Sequence, residues 1–238
     1  EKIMFSKLGL QVYTVRDHIK DEQSMDATFA KLAEIGYSEL QTAGWESETY
    51  AALAKKHGLT VVGTHYNFDK IINNIDETVA LHKALGTTNI GVGGCSARTY
   101  DEIMAFIEKF NAAAAEYAKH GFKLTYHNHS FEFIKINGQK TIMDYLYEEL
   151  DPKNTSFVLD TCWVAHGGAD VRHWLEKLKG RVECIHLKDL AIVNDEQHMA
   201  PIGKGNMNFE KIVDAAKKAG TKFALVEQDL CYGEDPLQ

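Results

Sequence analysis

The feature that most restricts the fold of this chain is a strict alternation. Short runs rich in apolar and β-branched residues take turns with amphipathic stretches, and glycine ends most of those stretches. Strand one is expected over Lys7–Tyr13, followed by a helix over Met25–Ile35 that Gly36 stops. Strand two (Tyr37–Ala43) leads to a helix over Glu46–His57 and Gly58. Strand three (Leu59–His65) leads to one over Ile71–Leu85 and Gly86. Strand four (Thr88–Gly93) precedes the Ala-rich helix Tyr100–His120, ended by Gly121. Strand five (Phe122–Asn128) precedes Thr141–Leu150, and strand six (Ser156–Thr161) precedes Val171–Leu178. Strand seven (Val182–Leu187) precedes Asn208–Ala219 with its Gly220, and strand eight is Lys222–Glu227. Such alternation implies parallel strands with helical crossovers. Eight strands close a barrel, whereas an open sheet usually has fewer, and no GxGxxG follows strand one. The expected fold is therefore α/β, a (β/α)8 TIM barrel, as a single domain over residues 1–238. That length is near the ~250 residues such a barrel uses. Only 11 residues follow Glu227, so the eighth helix is expected to be short or missing. Either the sequence is trimmed or another subunit covers that flank, which leaves a homo-oligomer as an open expectation.

The formal net charge of −8 argues against a nucleic-acid or membrane-surface binder, because phosphate contacts need clustered Lys and Arg. The 4 cysteines, Cys95, Cys162, Cys184 and Cys231, are far apart and form no CxxC pair, so free thiols are expected rather than a zinc knuckle. No run approaches the ~20 apolar residues of a membrane span, and no signal peptide is visible. The resulting expectation is a cytoplasmic protein.

Catalytic groups of such barrels stand at the C-terminal ends of the strands. Strand three ends in His65-Tyr66-Asn67, and strand five in His127-Asn128-His129, with Phe131-Glu132-Phe133 beyond. Strand six ends in Asp160, strand seven supplies His186, Lys188 and Asp189, and strand eight supplies Glu227, Gln228 and Asp229. A carboxylate closing an apolar run such as Phe157-Val158-Leu159-Asp160 is costly to bury alone. Several such groups converging on one mouth can be satisfied together by one cation, and mixed N/O ligands suit Zn, Mn, Mg or Co. Each residue taken alone has a plainer role. A strand-end His is commonly a packing residue, and a terminal Asp commonly caps the next helix; Asp189 and Asp229 fit such loop or cap roles.

The motifs resemble those of the sugar phosphate isomerase/epimerase family of the xylose-isomerase-like barrel superfamily. The resemblance runs in order through residues 8–17 (LGLQVYTVRD), Ala33-Glu34-Ile35-Gly36-Tyr37 and residues 126–133 (YHNHSFEF). It continues through Leu159-Asp160-Thr161, His186-Leu187-Lys188-Asp189, Ile202-Gly203-Lys204-Gly205 and Val226-Glu227. It implies one divalent metal ion held by Glu, Asp, His and Glu. Asp160, His186 and Glu227 match the last three, but His127 stands at the first carboxylate position. His127 is the favoured fourth ligand, with Glu132 reaching back from the loop as the alternative. Epimerases of the superfamily use two metal-bound glutamates as paired acid and base, and a His in one position breaks that symmetry.

The candidate catalytic residues are Glu227, Glu132, His65 and Lys188; the candidate substrate-binding residues are Asn128, His129, Trp163 and His166. Trp163 offers either a stacking face for a sugar ring or plain wall packing. Lys188 either binds an oxyanion or makes a salt bridge with Asp160 or Glu227. The loop Gly203-Lys204-Gly205 lacks the Walker spacing and is read as a flexible loop over the site. The leading expectation is a metal-dependent isomerase or epimerase acting next to a carbonyl of a small carbohydrate. A dehydratase or lyase on a keto-sugar or keto-inositol is the competing enzyme reading. Nuclease action is disfavoured by the net charge, and a non-catalytic sugar-binding role is the remaining alternative.

Overall fold

The computed structural model describes residues 5–238. Eight parallel strands form a nearly closed barrel: β1 (Gly9–Gln11), β2 (Glu39–Ala43), β3 (Thr60–His65), β4 (Asn89–Val92), β5 (Lys123–His127), β6 (Thr155–Asp160), β7 (Val182–Leu187) and, after a separate hairpin of β8 (Asp189–Val193) and β9 (Glu196–Ala200), β10 (Phe223–Val226). The strand order is β3-β2-β1-β10-β7-β6-β5-β4. The crossovers are α1 (Glu22–Ile35), α2 (Glu48–Lys56), the pair α3 (Phe68–Asn73) and α4 (Ile75–Leu85), α5 (Tyr100–Lys119), α6 (Ile142–Glu149), the pair α7 (Thr161–His166) and α8 (Val171–Lys177), and α9 (Phe209–Lys218). Capping side chains and glycines set the ends of these helices. Asp21 and Ser24 cap α1 reciprocally, as Thr99 and Glu102 cap α5, and Gly36 ends α1 at φ 113°.

The barrel is sealed between β3 and β4 by sparse bonds. Tyr66 N–H donates to the Gly91 carbonyl at 2.8 Å, and Gly91 N–H donates to Thr64 Oγ1 at 3.2 Å. A Cβ on Gly91 would lie 1.8 Å from the Thr64 carbonyl oxygen, so only glycine lets these two edges meet. Helix α4 supports the seam through buried His82. Its Nδ1–H donates to the Thr78 carbonyl at 2.7 Å, and its Nε2 lies 2.9 Å from Thr64 Oγ1. The Thr64 hydroxyl accepts from Gly91 and still has its own hydrogen to donate to Nε2 of the neutral ring.

Burial pushes His82 down to about 4, against the opposing pull of its bond to Thr78. The unfolded chain takes up this proton near pH 6.5, before the folded protein does. This contribution to stability is therefore complete above pH 6.5 and is lost as the pH falls toward 4, by about 3 kcal/mol in all. Urea denaturation of the parent and a His82→Gln variant, from about pH 7.5 to about pH 4, should show a shallower decline for the variant. Parallel profiles would exclude a role for His82 in acid lability.

Several elements depart from the sequence expectations. Strand one is cut short at Gln11 because the Gln11 side chain accepts from Tyr13 N–H and turns the chain into a 3-10 segment, Val12–His18. The helix expected over Ile71–Leu85 breaks at Asn74, whose side chain makes no cap to α4. Helix α7 was not expected; the Asp160 side chain caps it from the end of β6. The hairpin β8–β9 was also not expected. Its turn residues Asn194 and Asp195 both take positive φ, 52° and 64°, as a two-residue hairpin requires. Asp189 organises the loop that follows. Its buried carboxylate accepts from Leu190, Gly203, Gly205 and Met207 N–H, which satisfies the loop reading of this residue.

Among the described residues no helix follows β10. The flank left open is an apolar groove of about 530 Å³ walled by Leu8, Leu10, Phe209, Val213 and Val226. All four cysteines are free, and Cys162 and Cys184 are buried. No helix among the described residues is long and apolar enough to cross a membrane.

Candidate metal centre

Strand register decides what meets at the mouth. Asp160 pairs with His186 across β6–β7, and Leu187 pairs with Val226 across β7–β10, which sets Glu227 one residue further on. His127 ends β5, opposite Val158. The ligand atoms of His127, Asp160, His186 and Glu227 lie within 4.8 Å of one another, and all four residues are buried.

Each histidine is pinned by its far nitrogen. His127 Nδ1–H donates to the Gly93 carbonyl at 3.1 Å, leaving Nε2 at 3.4 Å from Asp160 Oδ2. His186 Nε2 lies 2.5 Å from Gln41 Oε1, and its Nδ1 lies 2.9 Å from Glu227 Oε2 and 3.6 Å from Asp160 Oδ2. Neither His186 Nδ1 nor Glu227 Oε2 completes a hydrogen bond, although both are buried. Asp160 divides its carboxylate: Oδ1 accepts from Trp163 N–H at 2.9 Å as the cap of α7, and Oδ2 faces the cluster. Two imidazole nitrogens and two carboxylates converging at buried atoms within 4.8 Å of one another fit a divalent cation.

Lys188 also enters this cluster. Its ammonium, 1% exposed, lies 2.8 Å from Asp160 Oδ2, 2.8 Å from Glu227 Oε2 and 3.0 Å from Asp229 Oδ2. Of the two roles open to it in the sequence, the salt bridge is the one formed, and Asp229 joins it. Burial alone would neutralise these groups; their mutual charges reverse that. Burial would raise Asp160 and Glu227, but Lys188 and the two histidines hold both carboxyls well below the usual range. Burial would lower His186, but Glu227 and Asp160 push it up to about 9. Asp229 moves the other way, raised by its burial and then by the nearby Glu227 charge.

A cavity of about 410 Å³ opens above the cluster, walled by Tyr13, Ala43, His65, Gly93, His127, His129, Trp163, Lys188, Glu227 and Asp229. The His65 ring packs at a tilt, 4.8 Å from His127 and 5.4 Å from His186; burial and these neighbours hold it neutral. Burial lowers His129 to about 3. His65 Nε2, His129 Nδ1 and Trp163 Nε1 are buried without a hydrogen-bond partner. The Trp163 ring lies 5.2 Å from the Lys188 ammonium.

Three sequence candidates stand elsewhere. Glu132 is not among the four converging groups, because the 3-10 turn Phe131–Phe133 folds its carboxylate onto Tyr126 Oη at 2.7 Å and His129 N–H at 2.8 Å. Burial raises it to about 7. Asn128 is not on the cavity wall; its Oδ1 accepts from Asp160 N–H at 2.9 Å and its amide donates to the His129 carbonyl. His166 is exposed at the end of α7 and packs edge-on against the Trp163 ring, 5.3 Å away. Conversely, Tyr13 and Gln41 were not singled out. Tyr13 stands in the 3-10 segment just beyond β1, where the strand-end rule that found His65 reaches, whereas Gln41 lies inside β2 and carries no such signal.

A family model described as xylose isomerase-like TIM barrel matches residues 29–230. An inosose dehydratase of Geobacillus thermodenitrificans is 33% identical over 94 residues, 40% of this chain and 30% of that protein. An inosose dehydratase of Mesomycoplasma hyopneumoniae is 35% identical over 72 residues, 30% of this chain and 23% of that protein. The chain thus matches under a third of the length of these curated relatives. Among solved structures, a sugar phosphate isomerase/epimerase from Parabacteroides distasonis superposes with a TM-score of 0.81 at 24% identity, covering 97% of this chain and 89% of that one. A probable 3-DHS dehydratase from Bacillus anthracis gives 0.73 at 15% identity, covering 97% and 96%. At these identities the structural likeness carries the fold.

Proposed function

The chain belongs to the xylose isomerase-like TIM barrel family, and on that premise we propose that it is a metal-dependent enzyme that moves a proton at a carbon next to a carbonyl of a sugar or keto-sugar, as an isomerase or epimerase does. The observation that carries this reading is the convergence of His127, Asp160, His186 and Glu227 under a polar cavity large enough for a monosaccharide. A divalent ion held by these four would polarise the substrate carbonyl and its adjacent hydroxyl.

The chain's own residues supply the rest. Glu227 is a carboxylate on the cavity wall that belongs to the cluster, and it is the proton acceptor we assign. Lys188 brings positive charge to the place where negative charge would develop on substrate oxygen. His65 and His129 are neutral and each has a free ring nitrogen, so they can bond substrate hydroxyls without first losing a proton. Trp163 offers an apolar face beside them.

A second reading is favoured by one specific feature. With His127 in place of a carboxylate, the two faces of the substrate meet unlike groups. One-sided removal of a proton followed by loss of a hydroxyl, as in a dehydratase, needs only one base and one acid. The inosose dehydratase names of the curated relatives point the same way.

The test is an assay in deuterated buffer with added Mn²⁺ on a panel of ketohexoses, their phosphates and keto-inositols. Deuterium at one carbon with a change of configuration or carbonyl position supports the first reading. Loss of water supports the second. A parent protein that binds no divalent ion and exchanges no substrate hydrogen would sink both.

A further inference from the structure

The cluster is tied to the first two strands by a chain of buried amides whose polarity can be read from one end. Tyr13 N–H is a backbone group and can only donate; it donates to Gln11 Oε1 at 3.2 Å. The other end of that amide is therefore nitrogen, and Gln11 Nε2 donates to Gln41 Oε1 at 2.7 Å. Turning the Gln41 amide over would set its N–H₂ against that of Gln11, so the oxygen stays. The same oxygen faces His186 Nε2 at 2.5 Å, and an amide oxygen can only accept. The ring must therefore carry its proton on Nε2. Gln11 and His186 are fully buried and Gln41 is 1% exposed, so water offers no alternative partner to any member. With Nε2–H committed to Gln41, Nδ1, the buried nitrogen that faces Asp160 and Glu227, is the one whose lone pair a cation could take.

We propose that Gln41, oriented by Gln11, is the positioning residue that decides which nitrogen of His186 is offered to the cation. The inference rests on the metal-centre reading above for its consequence, but its geometry is independent of any ion. A hydrogen-bond acceptor behind a ligating histidine fixes the tautomer and the ring plane, and its loss typically costs 10–100-fold in metal affinity. Here the acceptor is a neutral amide. It fixes the ring without adding a further negative charge to a site that already holds Asp160, Glu227 and Asp229.

Two measurements on the same proteins test this. The first is the imidazole region of the ¹⁵N spectrum of ion-free protein, where a solvent-protected Nε2–H of His186 is expected. The second is Mn²⁺ affinity by calorimetry. Gln41→Met should lose the protected resonance and weaken Mn²⁺ binding by about 10–100-fold. Gln41→Glu, whose carboxylate also only accepts, should keep the resonance and bind Mn²⁺ at least as well as the parent. Gln11→Met, which leaves His186 untouched, should weaken Mn²⁺ binding as well, and it serves if Gln41→Met fails to fold. A folded Gln41→Met or Gln11→Met with the parent's resonance and affinity would overturn the proposal, as would an unprotonated Nε2 in the parent. If the parent binds no Mn²⁺, the spectra still decide the amide chain, and only the metal reading falls.

Discussion

Lys188→Met is expected to destabilise the ion-free protein by about 3–5 kcal/mol, the usual consequence of removing one partner from a buried charge cluster. The ammonium is within 2.8 Å of both Asp160 Oδ2 and Glu227 Oε2 and bonds Asp229 as well. Methionine fills much of the same volume but leaves three carboxylates facing one another, with only the two histidines to offset them. For a domain of this size the loss corresponds to a fall in Tm of about 10 °C. The same substitution opens the two carboxylate oxygens that any cation in the cluster would use. Added Mn²⁺ should therefore raise the Tm of Lys188→Met by more than it raises that of the parent, since binding to the folded state alone stabilises it by mass action. Thermal unfolding with and without Mn²⁺ checks both halves. A variant as stable as the parent would show that Lys188 does not neutralise the site, and an equal Mn²⁺ response would show that ammonium and ion do not share oxygens.

The division between what the sequence reveals and what it hides follows the range of the interactions. The barrel is legible because its signals are local: β-branched runs, amphipathic spacing and glycines such as Gly36 and Gly220 at helix ends. Asp160, His186 and Glu227 stand out as candidates because each is a charged or titratable group ending an apolar run, which needs a partner wherever it goes. Gln41 carries no charge and raises no such alarm. Its importance appears only when closure of the sheet brings it to His186, 145 positions away. Glu132 misleads for the opposite reason. A carboxylate next to a ligand motif looks available, but a single 3-10 turn satisfies it with Tyr126 and His129. Asp189 and Asp229 look alike in the sequence. The backbone amides of the loop occupy one, and the other completes the Lys188 cluster.

Asp160→Asn is expected to separate the two jobs that the Asp160 carboxylate performs. Its Oδ1 caps α7 through Trp163 N–H, and asparagine caps helices as well as aspartate does, so that bond survives. Its Oδ2 is the atom that meets the Lys188 ammonium and would meet a cation, and an amide nitrogen there offers a hydrogen where both need a lone pair and a negative charge. The amide cannot turn over without losing the cap. Mn²⁺ binding should drop by at least about 100-fold with the loss of a charged ligand, and turnover by about 10³-fold, which is the several kcal/mol a cation contributes to developing charge at 1.36 kcal/mol per decade. Asp160→Ala should match these losses and add about 1 kcal/mol of destabilisation from the missing cap. Calorimetric titration with Mn²⁺, turnover and urea midpoints for the pair would read all three quantities. If Asn retains the parent's ion affinity, Oδ2 is no ligand. Equal stability of the Asn and Ala variants would instead remove the cap. The sharp case is a well-folded Asn variant that is inert, because the charge on one oxygen, and not the helix that the other oxygen holds, then accounts for the chemistry.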